Sequence, residues 1–333
     1  MTTVSFIIIA FNEETTIKKI FKDLIMQDYP HNLIEVILVD GISTDNTKNF
    51  MQTFSKEDNG FARVIVLDNP KKILPSGWNI ALENAENEVI LRVDAHASIP
   101  KNFIFQNVKC IESGEDICGG YRPNIIDEQT PWKETLLLAE KSMFGSSIAN
   151  YRRNSEKRHV NSIFHGAYKK SVFDKVGKYD ERLVRTEDNE MHYRIRQAGY
   201  KICFDPSIIS YQHTRNSLRK MLKQKNLNGY WIGKTLWVCS RCFSIFHFIP
   251  MFFVLGILTT GIFAIFGLPQ VAILLWGLYG LLNLFMSTIS IIKNQKFHLN
   301  NLLLPILFFL MHLSYGVGTV VGLSKKIGEE IES

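Results

Sequence analysis

Residues 89–97 read VILRVDAHA, an apolar run that stops at Asp94 and is followed at the second position by His96. Side chains two residues apart share one face of an extended chain, so Asp94 and His96 can reach one ion or one phosphate-bearing ligand. A solvated strand end is the plain alternative, and the neighbouring segments decide between the two. VSFIIIA (4–10), EVILVD (35–40), ARVIVLD (62–68) and DICGGY (116–121) also read as short apolar strands. Between them lie helical patterns at about 14–27, 45–55, 76–86 and 101–112. Near-continuous Val/Ile/Leu runs separated by helices predict an α/β fold with a mostly parallel sheet covered on both faces. In such sheets the ligand sits beyond the carboxyl ends of the strands, where Asn12, Asp40 and Asp94 fall. No GxGxxG follows the first strand and no GxxxxGK[ST] occurs, which counts against dinucleotide-binding and P-loop readings. The phosphates of a nucleotide here need another neutralising partner, and a divalent cation held by Asp94 and His96 supplies one.

The composition divides the chain. After Asp205 no Asp or Glu occurs until Glu329. A basic stretch comes first (Arg215, Arg219, Lys220, Lys223, Lys225, Lys234, Arg241), then three nearly uncharged segments at about 243–268, 270–292 and 301–324. Each is long enough, at helical rise, to cross roughly 30 Å of hydrocarbon. The expected organisation is a cytoplasmic α/β domain over 1–214, a basic membrane-proximal segment over 215–242, and a transmembrane region of about three helices over 243–333. Pro250, Pro269 and Pro305 leave open a tilted or re-entrant pair in place of straight spans. The basic residues before Phe243, with Lys293 and Lys296, place the amino-terminal domain on the cytoplasmic side of a cell membrane; Lys325 and Lys326 point the other way for the tail. The opening MTTVSFIIIAFNEE has too short an apolar run and no basic region before it to read as a signal peptide.

The five cysteines are expected to be reduced, without a disulfide framework. Cys239 and Cys242 form a CxxC with no second pair to complete a zinc site, and read as a thiol pair without a structural role. Basic residues concentrate beside the apolar segments and no recognised aromatic-basic module appears, which argues against nucleic acid as a partner.

Thr186 to Gly199 reads as a helix that begins with acidic residues and ends at glycine. Glu187 and Asp188 occupy its first turn, where the helix dipole favours their ionised form. An acidic first turn is also a common stabilising device.

VSFIIIAFNEE, EVILVDGISTDNT, RVDAHA and TEDNEMHYRIRQAGY, in this order, resemble family 2 glycosyltransferases of the GT-A fold. DGISTDNT, NPKKILPSGWN, RVDAHA, FHGAYKKSVFDKVGKYDERL and QKNLNGYW together resemble the membrane-attached glycosyltransferases of succinoglycan-type exopolysaccharide synthesis, from about Val4 to Lys234. The resemblance implies that Asn12 and Glu13, with backbone around Ala10 and Phe11, line a nucleotide pocket. It implies that Asp40 accepts a hydrogen bond from the base, that Gly77 and Asn79 lie near the diphosphate, and that Asp94 lies near the ribose and metal. His96 would be a metal ligand where the family pattern has Asp. Imidazole suits Mn²⁺ better than Mg²⁺, so Mn²⁺ is expected at least to be accepted. His213 is either a further ligand or an ordinary loop histidine. Asp188 would be the catalytic base, with Glu187 its rival.

The implied chemistry is a single displacement. The cation offsets charge developing on the leaving diphosphate, and Asp188 takes the proton from an acceptor hydroxyl that attacks the anomeric carbon from the opposite face. In QKNLNGYW, Tyr230 stands where processive polysaccharide synthases carry Arg before Trp, which favours transfer of one sugar per encounter. Trp231 either stacks on an acceptor sugar or anchors at the membrane interface. The donor is expected to be a UDP-sugar, UDP-glucose first, and Gly119, Arg122 and His165 to contribute to its choice. The acceptor is expected to be a polyprenyl-linked saccharide, with the basic stretch either meeting its diphosphate or fixing topology. Two other functions remain open on the sequence: a polyprenyl-phosphate sugar synthase, and a catalytically silent scaffold of a polysaccharide assembly complex.

Overall fold

The computed structural model describes residues 1–145, 156–215, 217–294 and 296–325. The chain packs as two compact units, Met1–Pro123 with Asn150–His213, and Asn124–Ala149 with Thr214–Ser333.

The first unit is built on a sheet of eight strands. In chain order its elements are β1 (Val4–Ala10), α1 (Ile17–Ile25), β2 (Ile34–Asp40), α2 (Thr47–Lys56), β3 (Arg63–Asp68), α3 (Leu74–Asn84), β4 (Val89–Asp94), β5 (Ala97–Ser98), α4 (Phe103–Glu112) and β6 (Ile117–Tyr121). After β7 (Asn124–Ile125) and α5 (Pro131–Lys141), which fall in the second unit, come β8 (Arg158–Val160), β9 (Gly166–Lys169), α6 (Lys170–Val176), α7 (Glu187–Gln197), β10 (Ile202–Ile209) and β11 (Tyr211–His213). The sheet order is β3-β2-β1-β4-β9-β6-β10-β8. β1 runs parallel to β2 and β4, with Ala10 beside Asp40 and Ile9 beside Asp94. Three carboxyl ends therefore finish at one level.

Alternation along the buried strands fills both faces. Phe6, Ile8, Val36, Leu38, Leu91 and Val93 join one cluster, while Ile7, Ile9, Ile37, Val39 and Ile90 join the other. Each such side chain contributes about 1.5–3 kcal/mol by leaving water. The strand at 116–121 lies apart from β4, because β9 inserts between them antiparallel to both. Glycine makes that insertion fit: a Cβ on Gly166 would stand 2.4 Å from the Cys118 carbonyl oxygen.

The second unit contains α8 (Leu218–Thr235), α9 (Ile249–Ile265), α10 (Pro269–Lys293) and α11 (Leu304–Ser324). Three helices, Ile245–Ile265, Pro269–Lys293 and Leu299–Ser324, are long and apolar enough to cross a membrane. Pro250, Pro269 and Pro305 each stand in the first turn of a helix, where a missing N–H costs nothing, so they start helices rather than break them. α8 meets α11 backbone to backbone: Cβ atoms on Gly229 and Gly322 would lie 2.0 Å from the Tyr315 oxygen and 1.9 Å from the Tyr230 oxygen. Not all of the basic stretch is solvated, since Lys225 is buried with its ammonium 3.4 Å from Glu140.

One cysteine expectation is corrected. Cys239 and Cys242 form a disulfide, their Cα atoms 5.5 Å apart, because the tight turn in which the Cys242 N–H reaches the Cys239 carbonyl (3.4 Å) brings the two into bonding range. Cys110, Cys118 and Cys203 are free and buried.

Candidate active site

The turn after β1 and the loop after β2 are knitted together. Asn12 adopts a left-handed conformation (φ 55°), which asparagine tolerates better than most residues. Its N–H donates to Ser43 Oγ at 3.0 Å, and its side-chain oxygen accepts the Thr44 N–H at 2.8 Å. The Glu13 N–H donates to Thr47 Oγ1 at 2.7 Å, and the Ala10 carbonyl accepts the Gly41 N–H at 2.8 Å. Asn12 thus shapes the rim, while Phe11 is half exposed there. Asp40 is fully buried at the end of β2; its Oδ2 accepts the Ser43 N–H at 3.0 Å, and its Oδ1 has no partner among the described residues. A buried acceptor left open at a strand end is suited to receive a ligand N–H.

Asp94 ends β4 on the sheet face that also carries Arg92, Ile7 and Ile9. Burial opposes its ionisation, but the hydrogen bond and charge of His165, with attraction to His96 and Arg92, hold the carboxyl well below the usual range. His165 Nε2 lies 3.3 Å from the Asp94 backbone nitrogen and 3.5 Å from its Oδ2. Burial lowers the His165 pKa against the pull of Asp94, and its Nδ1 lies 2.9 Å from Ser210 Oγ. His96 stands in the turn between β4 and β5 with Nδ1 3.2 Å from Glu13 Oε1, which ties the end of β1 to the end of β4.

The residues fit a divalent cation with only two protein ligands. Asp94 is an ionised acceptor and His96 an imidazole beside it, an O/N donor set that suits Mn²⁺. Among the described residues no group of three or more His, Cys, Asp or Glu side chains stands ready to hold a metal. The His213 Nε2 lies 3.1 Å from the Lys19 ammonium and 3.0 Å from Ser98 Oγ.

Gly77 and Asn79 serve the scaffold. Gly77 abuts β1, where an added Cβ would stand 2.7 Å from Ile9 Cγ2. The Asn79 amide donates to the Tyr179 carbonyl (3.0 Å) and to Glu181 Oε1 (3.1 Å), while its oxygen accepts the Tyr179 N–H (2.8 Å). Both ends of the Asn79 amide are thus in use within the fold.

α7 starts at Glu187, as expected. Glu187 is 2% exposed and its Oε1 lies 3.1 Å from Arg92 Nη2. Burial and the neighbouring Asp188 raise its pKa against the pull of Arg92. Asp188 is partly exposed, and its Oδ1 accepts the Asn189 N–H at 2.8 Å. Burial raises its pKa, Arg92 and the Asn189 N–H lower it, and Asp94 raises it again. The mutual influence of Asp94, Glu187 and Asp188 puts the end of β4 and the start of α7 in one electrostatic neighbourhood. Arg92 was not anticipated, although an arginine inside VILRVD is itself a signal: a charge in an otherwise apolar buried strand needs a partner.

The profile of the family described as glycosyl transferase family 2 matches residues 5–177. The chain is 27% identical over 334 residues, 98% of each chain, to a dolichyl N-acetyl-alpha-D-glucosaminyl phosphate 3-beta-D-2,3-diacetamido-2,3-dideoxy-beta-D-glucuronosyltransferase of Methanococcus voltae. It is 29% identical over 208 residues, 60% of each chain, to the succinoglycan biosynthesis protein ExoA of Rhizobium meliloti. Among solved structures, a mannosyltransferase of Pyrobaculum calidifontis, in complex with GDP-Man and Mn²⁺, superposes with a TM-score of 0.63 at 15% identity, over 94% of this chain and 87% of that one. That likeness carries the GT-A fold. With the matched segment spanning over half of its 333 residues, the chain belongs to glycosyl transferase family 2.

Proposed function

We propose that this glycosyltransferase inverts configuration while moving a sugar from a nucleotide diphosphate, a UDP-sugar first, to a lipid-linked saccharide at the cytoplasmic face of a cell membrane. In this reading residues 1–214 carry the chemistry, 215–242 lie at the membrane surface, and 243–333 cross the membrane several times. The observation that carries it is the link between the end of β4 and the start of α7: Arg92, two residues before Asp94, lies 3.1 Å from Glu187, the residue before Asp188.

Asp40 and the turn from Ala10 to Glu13 receive the nucleotide. A divalent cation bound by Asp94 and His96 would supply Lewis-acid neutralisation of the departing diphosphate. Asp188 accepts the proton of the acceptor hydroxyl as that oxygen bonds to the anomeric carbon. The bond from that carbon to the diphosphate oxygen breaks, and its electron pair leaves with the diphosphate. Of the two carboxylates, Asp188 suits the base because it is partly exposed, whereas Glu187 is enclosed against Arg92. The acceptor class is supported by the printed activity of the Methanococcus voltae relative, which aligns over 98% of each chain, and by the three helices able to cross a membrane.

The test is a transfer assay with full-length protein in lipid discs, a panel of radiolabelled UDP-, GDP- and dTDP-sugars with Mn²⁺, and either a polyprenyl-linked saccharide or bare polyprenyl phosphate. Labelled product from the linked saccharide, with anomeric configuration opposite to the donor, supports the proposal. Retained configuration, or product from bare polyprenyl phosphate alone, overturns it.

A further inference from the structure

The Arg92–Glu187 pair is an unusual thing to place in a core. Arg92 is 4% exposed and Glu187 2%. A buried ion pair is weak evidence for stability, because desolvating both charges offsets most of their attraction, and apolar residues of similar volume often serve as well. Geometry explains the pair better than stability does.

Arg92 is held from three directions. Nη1 donates to the Tyr179 hydroxyl at 3.3 Å, Nη2 faces Glu187 Oε1 at 3.1 Å, and the guanidinium carbon sits 4.5 Å from the centre of the Trp78 ring. Tyr179 is fastened to α3 through the Asn79 amide. Trp78 belongs to α3, Arg92 to β4 and Glu187 to the first turn of α7, so one guanidinium joins three elements. Asp188, the next residue along, has its carboxylate bonded locally, Oδ1 accepting from the Asn189 N–H and from its amide at 3.0 Å. Neither bond reaches β4. The reach of Asp188 toward whatever Asp94 holds is therefore set by where the first turn of α7 stands, and Arg92 grips that turn.

We infer that Arg92 is a positioning residue for the transfer step: through Glu187 it fixes the first turn of α7 relative to β4 and so aims the Asp188 carboxylate. The inference rests on the proposed role of Asp188. A planar, two-pronged cation suits the task, because a Lys ammonium has no second nitrogen to hold Tyr179 while it meets Glu187.

The experiment uses the full-length protein in lipid discs, the donor that gives turnover in the nucleotide-sugar panel, and release of nucleoside diphosphate as readout. Arg92→Met and Glu187→Gln are expected to lower kcat about 100-fold, the scale of a small misplacement of a reacting group. KM for the donor is expected to stay within about threefold. Arg92→Lys restores part of kcat and gives the reading if Arg92→Met does not fold. The double variant Arg92→Met/Glu187→Leu, which leaves no unpaired charge, is expected to regain wild-type Tm while kcat stays low. A double variant that regains both would show that the pair only neutralised itself. Single variants that raise KM at unchanged kcat would also overturn the inference. Asp188→Asn is assayed alongside: if it keeps turnover the base assignment fails, and if it is inactive while the Arg92 variants keep full kcat, only the positioning role fails.

Discussion

His165 braces Asp94 through one nitrogen: Nε2 lies 3.3 Å from the Asp94 backbone nitrogen and 3.5 Å from its carboxylate. The ring's other nitrogen lies 2.9 Å from Ser210 Oγ, so the imidazole bridges β4 to the end of β10. A residue that orients a metal ligand is typically worth about 10–100-fold in metal affinity. His165→Ala is expected to weaken Mn²⁺-dependent UDP binding by that amount in calorimetry below its melting temperature, and to lower Tm as well, since a buried side chain and its two contacts are lost. Unaltered binding would show that Asp94 needs no brace.

The His96 imidazole offers a borderline donor where a carboxylate would favour hard cations. His96→Asp is expected to lower the ratio of Mn²⁺- to Mg²⁺-supported turnover by about tenfold, an order-of-magnitude expectation from ligand softness. Activity measured across a titration of each metal checks it. Chelation with EDTA is expected to abolish turnover of the wild type, and added Mn²⁺ to restore it.

His192 carries a pH signature. It is buried between the Tyr168 hydroxyl (2.9 Å) and Ser162 Oγ (3.2 Å), and burial, helped by repulsion from Arg92 and Arg196, pushes its pKa down to about 3. The unfolded chain takes up that proton near the ordinary histidine value of about 6.5. Between those values the unfolded state binds more protons, so stability falls as the pH drops, by about 1.4 kcal/mol per unit from this residue. His165, also depressed by burial, acts with the same sign. Denaturant unfolding of the full chain at pH 7 and pH 5 is expected to show a smaller difference for His192→Gln than for wild type.

The α8–α11 contact tolerates no side chain at Gly322, because the obstacle is the Tyr230 carbonyl and not a movable side chain. Gly322→Ala is expected to destabilise the protein by about 1–3 kcal/mol, the usual cost of overpacking. Gly277, on α10, has nothing within 4 Å of a built Cβ. Gly277→Ala is the control, expected to leave Tm unchanged or slightly raised, since alanine is the better helix former. Thermal unfolding in detergent compares the two.

Much of the scaffold is legible in the sequence because it rests on local pattern. VSFIIIA, EVILVD and VILRVD are buried on both faces and read as continuous apolar runs, and Asp40 and Asp94 end theirs where polarity returns. Thr186 and the glycine at 199 bracket α7 in the same local way. The antiparallel insertion of β9 was not legible, since GAYK is four residues long and its place depends on a distant glycine pairing. Nor was the coupling of Arg92 to Glu187, separated by 95 positions and joined only once the sheet is formed. The partners of Gly77, Asn79 and His213 (Ile9, Tyr179 with Glu181, and Lys19 with Ser98) were not legible either, because they lie far along the chain.

The most direct test concerns Asp188. In single-turnover assays with donor and lipid-linked acceptor, Asp188→Asn is expected to slow the chemical step by about 10²–10⁴-fold, the range for loss of a general base. Binding of the Mn²⁺–nucleotide complex by the same variant is expected to match wild type. Near wild-type turnover with intact binding would contradict the account and move the proton acceptor elsewhere.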